Sequence, residues 1–444
     1  MKKERITNEE LKKAIKDPRR YSLNERLAEI NKKRFKKSFK NYIKWSFVLA
    51  IYIISEALFS ILRFENRFNR NAKNIKKILV FKLEHIGDLI LSTPVYREIK
   101  KAYPGSGLYV VTTENIEDTL ENNPYIDKHY KITPRFTHRF LHEMDYFQRL
   151  LLPIKNIMNL TYILFFVRPD VAISLRNDYK NIFLNYFSGA RIRIGHAITP
   201  YNYLLTHKVN YNGNMHEIKR NLELLEQIGI KTNNKNLELF PNKKNLIYAE
   251  KLFEKNSIKK NDFVVSMHIG GSGSLKWWPA ERFVEVAEYL VKKHKAKIII
   301  LAKGKDEEEK ANVIKNKFSN GIATSFDSSV MDKAAIIKKS SILICNDSGP
   351  MHIGAAVRTP MIAMFGPGNY KYYKPLDKIH TVIYKNLPCS PCAPFVQDEE
   401  NDCPENVCMK LITMKEVIKE IDNKLNKFIN LQSFNHSNEW KRSN

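Results

Sequence analysis

The sequence predicts an α/β protein made of two doubly wound domains with a cleft between them. Three observations carry that prediction. Short apolar runs alternate with amphipathic helical stretches, first from Lys77 and again from Asp262; this alternation marks parallel strands joined by helices. The chain has 444 residues, too many for one ordinary core. Glycine-rich and polar turns directly follow several of the apolar runs, and ligands of such sheets sit beyond the carboxyl ends of the strands.

In the first half, "KILVFKL" (77–83) reads as a buried strand. "PVYREIKKAY" (94–103) reads as a helix with Pro94 in its first turn and Thr93 as its cap. Strands follow at 107–113 and 169–175, and 216–230 is an amphipathic helix closed by Gly229. Residues 131–165 mix basic and aromatic side chains and suit an insertion at a cleft rim. The Asn- and Lys-rich stretch 233–245 reads as a linker. In the second half, strands are expected at 262–270, 296–304, 340–347 and 359–366. Helices are expected at 279–294 and from about Gly349, and Thr413 and Glu416 form a capping box for a last helix to about Ile429. The domains thus run over 76–240 and 246–430, between an N-terminal extension (1–75) and a polar tail (431–444).

The hydrophobic fraction of 43% supports globular packing, and the net charge is +27. The first 77 residues hold 22 Lys/Arg against 8 Asp/Glu, so much of the excess lies ahead of the first domain. Residues 45–62 form an 18-residue apolar run with one charge, Glu56, preceded by the polybasic stretch 32–44. The run starts too late for a signal peptide and sits at the low end for spanning a bilayer. A helix lying in the membrane interface, a transmembrane helix and a helix packed on the body of the protein all remain open. An anionic membrane surface is the partner this charge suits. No RNA- or DNA-binding motif accompanies it, which sets nucleic acid aside. Five cysteines do not suggest a disulfide scaffold.

Four segments carry candidate chemistry. "ILICNDSGPMH" (342–352) ends an apolar run in Asp347-Ser348-Gly349 at a helix start, with His352 one turn on; this presents free N–H groups, a hydroxyl and an imidazole to an anion. Asp88 follows the first strand and is poised over the cleft as a general base. In "HIGGSGSLKWWP", Gly270, Gly271 and Gly273 free the backbone to approach a phosphate, Ser272 and Ser274 add hydroxyls and Lys276 a point charge. In "LAKGKDEE", Asp306 is placed to accept from a ribose. Each also has a plain structural reading. Asp88 and Asp306 suit helix starts as dipole-complementing acids, the glycines suit a flexible turn, and a lone histidine is commonly structural.

In this order the Gly87-Asp88 segment, Lys276-Trp277-Trp278-Pro279, Asp347-Ser348-Gly349-x-x-His352 and "FGP" at 365–367 resemble the heptosyltransferase family, glycosyltransferase family 9. The resemblance covers about residues 76–417. It implies the GT-B fold of two Rossmann-like domains and an inverting glycosyltransferase. It implies Asp88 as catalytic base, Lys276 on the donor phosphate, and Gly271 and Ser272 on the diphosphate. It implies Asp306 on the donor ribose, and Asp347, Ser348, Gly349 and His352 at the diphosphate and nucleotide. The sequence departs from the pattern at Glu84-His85, where several members carry small hydroxyl residues. The implied reaction moves a sugar, heptose first, from a nucleoside-diphosphate sugar such as ADP-heptose to a lipopolysaccharide-core or related lipid-linked saccharide. The implied place is the cytoplasmic face of the inner membrane, peripheral or monotopic. No Asp-x-Asp motif is present, and fixed donors at the leaving group can replace a divalent ion, so no metal or other cofactor is expected for the reaction. Two alternatives stand beside it: a hexose or N-acetylhexosamine donor in glycan or capsule assembly, and a nucleotide-sugar-binding protein without catalysis, which an intact Asp88 disfavours.

Cys389, Cys392, Cys403 and Cys408 are spaced C-x2-C-x10-C-x4-C, which suits a structural zinc site. Family members often carry a similar group. Structural zinc, reduced thiols beside the acceptor cleft and disulfides remain open, while Cys345 reads as a core residue.

Overall fold

The structure, a computed structural model, describes residues 75–132, 166–318, 321–392 and 406–426, apart from 117, 177, 178, 199, 212 and 327. The expected helix 45–62 with its basic flank, the insertion after 132, Cys403 and the tail 431–444 lie outside the described residues. Among the described residues, no helix is long and apolar enough to cross a membrane.

Two six-stranded parallel sheets lie within one compact unit, Arg70–Asn444. The first contains β1 (Lys77–Lys82), β2 (Gly107–Thr113), β3 (Lys128–Ile132), β4 (Val171–Ser174), β5 (Ile192–His196) and β6 (His207–Val209), in the order β3-β2-β1-β4-β5-β6. The second contains β7 (Val264–His268), β8 (Lys297–Leu301), β9 (Ile322–Ser325), β10 (Ile342–Asn346), β11 (Met361–Phe365) and β12 (His380–Tyr384), in the order β12-β11-β10-β7-β8-β9. The two orders are the same when counted within each half. In both, the winding reverses beside the first strand, between β1 and β4 and between β7 and β10. That reversal opens a crevice at the carboxyl edge of each sheet. The central strands read as largely apolar runs because helices cover both faces; β7, β10 and β11 are buried at every residue.

Several boundaries differ from expectation. A short helix that was not expected, Ile86–Ile90, follows β1 and carries Asp88 in its first turn. The next helix is Thr93–Ala102, with Ser92 rather than Thr93 at its cap position. The stretch 216–230 divides into an α-helix, Glu217–Glu223, and a 3-10 turn, Leu224–Ile228, before Gly229 closes it at φ 81°. The stretch read as a linker is anchored, because Leu237 and Leu239 are buried in the core. Its later asparagines form a cap. The Asn242 side chain accepts from Asn245 N, the Asn245 side chain accepts from Asn242 N, and the helix Lys243–Lys255 begins there.

The largest apolar cluster runs from the first sheet through Leu237, Leu239 and Ala249 into the helix Val330–Lys339 and on to β10 and β11. The two sheets therefore share a core. The helix Ile86–Ile90 packs on the helix Gly349–Ala356, so the two crevices meet. Polar ties reinforce the junction: Ser329 Oγ donates to Asp118 Oδ2 (3.0 Å), and His216 Nε2 lies 2.9 Å from the Lys374 carbonyl.

Burial pushes five histidines, His129, His196, His216, His352 and His380, from the ordinary 6.5 down to about 4. The folded protein keeps them neutral where the unfolded chain already binds protons. Their contribution to stability is thus complete above about pH 6.5 and is lost as pH falls toward 4. The urea midpoint is expected to drop steadily between pH 7 and pH 4.5; a flat midpoint across that window would contradict the burial of these rings.

Candidate active site

The first wall is built by the end of β1. Lys82, its last residue, is fully buried. A buried ammonium is tolerated only when paired. It ion-pairs with Glu84 and stands 3.3 Å from Glu217 Oε1. Glu217 in turn pairs with Arg220, which donates to Tyr211 Oη at 2.9 Å. Arg176 Nε approaches Glu84 at 3.5 Å while its Nη1 donates to the Leu83 carbonyl at 2.7 Å. Burial opposes charge on Glu84, but Lys82 and Arg176 outweigh it and hold its carboxyl below the usual carboxylate range.

Asp88, one turn further on, is half-buried and receives no hydrogen bond from a described residue. Burial, followed by the like charge of Glu84, raises its carboxyl above the usual range against the pull of Lys82, His85 and Arg176. A carboxylate without a partner and with raised basicity is a proton acceptor in waiting. The phenol of Tyr373, which comes from the second half, is raised by burial and then by the charges of Asp88 and Glu84. It remains a donor at neutral pH and belongs to the same junction.

The second wall is built by the ends of β7, β8 and β10. Asn346 Nδ2 donates to the Ile269 and Gly270 carbonyls (3.1 and 3.0 Å) and its Oδ1 accepts from Trp278 N (3.2 Å), which pins the glycine-rich loop. Glu307 Oε1 accepts from Gly271 N at 2.8 Å. A Cβ on Gly270 would collide with that carboxylate and displace Glu307 from the Gly271 N–H. Gly271 has φ +142° and lies against Ser348, while Ser272 is exposed. Lys276 Nζ pairs with Asp347 Oδ2 at 2.9 Å, and Gly368 leaves room for that carboxylate: a Cβ there would fall 1.9 Å from it.

Ser348 occupies the N-cap of the helix Gly349–Ala356 without capping it. Its hydroxyl contacts His268 Nδ1 at 3.0 Å and the Asn346 carbonyl at 3.2 Å. Pro350 has no N–H, and Met351 N already donates to the Ser348 carbonyl (3.1 Å). The Gly349 N–H is left without an acceptor among the described residues, and nothing lies within 4 Å of where a Gly349 Cβ would be. This is an anion-accepting helix start. His352 lies against Gly87 of the first wall, where a Cβ would come within 2.8 Å of its Cδ2. Burial, helped by His216 and Lys276 and opposed by Asp347, pushes it down to about 4. At neutral pH it therefore offers an imidazole and not a charge.

The structure thus brings together Asp88, His352, Lys276, Asp347, Ser348 and Gly349. It places Asp306 in the first turn of the helix Lys305–Lys315, exposed and without a hydrogen bond to a described residue; its neighbour Glu307 is the acid that reaches the loop. Gly271 has already given its N–H to Glu307. Sequence reasoning missed Lys82, Arg176, His268, Glu307, Asn346 and Tyr373. Lys82 and His268 carried a readable signal, a polar residue closing an otherwise apolar strand. Three of the late cysteines, Cys389, Cys392 and Cys408, lie near enough to Tyr384 to raise its phenol after burial has done so. Among the described residues, no group of three or more His, Cys, Asp or Glu is placed to hold a metal ion. Cys345 is buried in the core as expected.

The chain is 25% identical over 311 residues to lipopolysaccharide heptosyltransferase 3 of Escherichia coli K12, covering 66% of this chain and 83% of that one. It is 28% identical over 267 residues to lipooligosaccharide heptosyltransferase 2 of Campylobacter jejuni, covering 57% and 79%. Its fold superposes on the glycosyltransferase family 9 structure from Veillonella parvula with a TM-score of 0.66 at 23% identity, covering 79% of this chain and 97% of that one. On Escherichia coli ADP-heptose LPS heptosyltransferase II the TM-score is 0.61 at 18% identity, with coverage of 79% and 99%. The two parallel sheets are the two Rossmann-like halves of the GT-B fold. The family model for glycosyltransferase family 9 (heptosyltransferase) matches residues 164–401, more than half of the chain. The protein therefore belongs to glycosyltransferase family 9, the heptosyltransferases, and is a glycosyltransferase.

Proposed function

We propose that this enzyme transfers heptose from ADP-heptose to a lipopolysaccharide-core or related lipid-linked saccharide, with inversion at the anomeric carbon and Asp88 as general base. The observation that carries the reading is the raised carboxylate of Asp88, without a hydrogen bond from a described residue, on a helix that packs against the helix Gly349–Ala356 with its open start. The names of the curated relatives, lipopolysaccharide and lipooligosaccharide heptosyltransferases, support the substrate class.

The acceptor hydroxyl attacks the anomeric carbon while Asp88 takes its proton. The bond from that carbon to the diphosphate oxygen breaks, and ADP leaves with the electron pair. The charge gathering on the diphosphate meets the Gly349 N–H, Lys276 and the Ser348 hydroxyl, with neutral His352 beside them. Asp347 does not face the anion as a donor; it fixes Lys276. Glu307 likewise fixes the Gly271 loop, and Ser272 and Asp306 remain exposed to meet the nucleotide. Glu84 is committed to Lys82 and Arg176 and leaves the proton to Asp88. The cysteine group, including the zinc that its spacing suits, has no step in the transfer. The basic extension 1–75 would hold the enzyme at the cytoplasmic face of the inner membrane, near an anionic lipid-linked acceptor.

Asp88→Asn should lower kcat by about 10²–10⁴-fold, the usual worth of a general base, while ADP-heptose still raises thermal stability. Near-normal turnover by that variant would remove Asp88 from the mechanism. In the native enzyme kcat/KM should fall as pH drops through a value above the ordinary carboxylate range. Glu84→Gln should move that limb to lower pH, because a like charge is removed; a limb that stays put would count against the coupling of the two acids. EDTA should leave the rate unchanged, whereas a rate restored only by magnesium would overturn the metal-independent reading.

A further inference from the structure

We propose that His268 is a positioning residue for sugar transfer: it holds the Ser348 hydroxyl off its own helix and turned toward the leaving diphosphate. The inference rests on the reading of the Gly349–Ala356 helix start as the diphosphate site.

His268 closes β7, a strand buried at every residue, and is itself 5% exposed. Its ring lies between two groups from different strand ends. Nδ1 stands 3.0 Å from Ser348 Oγ, and Nε2 stands 3.5 Å from Glu307 Oε2. Glu307 also accepts from Gly271 N (2.8 Å) and Lys303 N (2.9 Å). One carboxylate therefore ties the loop after β7 to the exit of β8, and the imidazole beside it reaches Ser348 at the exit of β10.

The hydrogen count at Ser348 gives the ring its task. A serine hydroxyl has one proton and accepts through its lone pairs. Oγ contacts both Nδ1 and, at 3.2 Å, the Asn346 carbonyl, which can only accept. Both contacts are satisfied together only when Nδ1–H donates to Oγ and the serine proton goes to the carbonyl. In that arrangement the serine proton is the mobile one, and a diphosphate oxygen is a stronger acceptor than an amide carbonyl. A serine at an N-cap otherwise turns its oxygen inward to accept from N2 or N3. Here N2 is Pro350, so the one target is Met351 N, now 3.1 Å from the Ser348 carbonyl. Without Nδ1, Ser348 rotates to cap Met351, and its hydroxyl leaves the anion.

The test is a kinetic cycle on the full-length enzyme with ADP-heptose. His268→Ala should lower kcat by about 10- to 100-fold, part of the loss seen on deleting one oxyanion donor, with a smaller change in donor KM. His268→Asn, whose amide nitrogen can reach the place of Nδ1, should recover most of the loss. Ser348→Ala added to His268→Ala should cost little further, because both changes remove the same contact. Wild-type kcat in His268→Ala, or losses that multiply in the double variant, would overturn the proposal. Should His268→Ala fail to fold, His268→Leu takes its place, and wild-type kcat there overturns it equally. Wild-type protein that transfers from no nucleotide sugar defeats the reading of the site and this role with it. Wild-type transfer with unaltered variants defeats the role of His268 alone.

Discussion

The close approach of Gly87 to His352 is the constraint on which the rest of the site depends. The helices Ile86–Ile90 and Gly349–Ala356 leave the reversal points of two separate sheets and pack on each other. There is no space for a Cβ at position 87. Any side chain there would meet an imidazole that is itself buried and would have to push the two walls apart. Asp88 and the open start of the Gly349–Ala356 helix come to one crevice because a glycine precedes the aspartate. The shared apolar core and the Asp118–Ser329 and His216–Lys374 contacts hold the same geometry from further out.

Desolvation then decides which charged groups are spent on structure and which stay free. Lys82 is fully buried and cannot stand alone, so it takes Glu84 and Glu217 as partners, and Arg176 and Arg220 complete the network. This removes Glu84 from proton chemistry while leaving its negative charge in place. Asp88 feels that charge without sharing the cations' hydrogen bonds, and its carboxyl rises. Two carboxylates four residues apart are thus driven in opposite directions: Lys82 and Arg176 outweigh burial at Glu84, whereas burial and the charge of Glu84 outweigh those cations at Asp88.

Much of the architecture was legible because the central strands are long apolar runs closed by glycine or polar turns. β3, β5 and β6 were harder: "KHYKI", "IRIGH" and "HKV" carry charged residues or are too short to stand out, and β3 and β6 are edge strands. Asn242 and Asn245 looked like linker because a capping box with asparagine on both sides has the composition of a loop. In the candidate site, the position of Asp88, Lys276 and the Asp347–His352 turn after strands was legible in the sequence. Glu307 was not, because Asp306, Glu307 and Glu308 share one helix turn and only packing determines which reaches the loop. Tyr373 was hidden for the same reason, since its neighbours belong to the other sheet.

The second wall contains two acids, Asp347 and Glu307, at a place read as an anion site. Their geometry resolves the apparent conflict. Asp347 engages Lys276 from behind and Glu307 accepts from Gly271 N and Lys303 N, so both carboxylates are already satisfied by donors of this chain. A flexible lysine in water would have to be ordered as charge develops; one held at 2.9 Å by a nearly buried carboxylate is ordered beforehand. Under the proposed function the acids give up some electrostatic attraction for the diphosphate, and in return the donors stand in fixed positions when the glycosidic bond breaks.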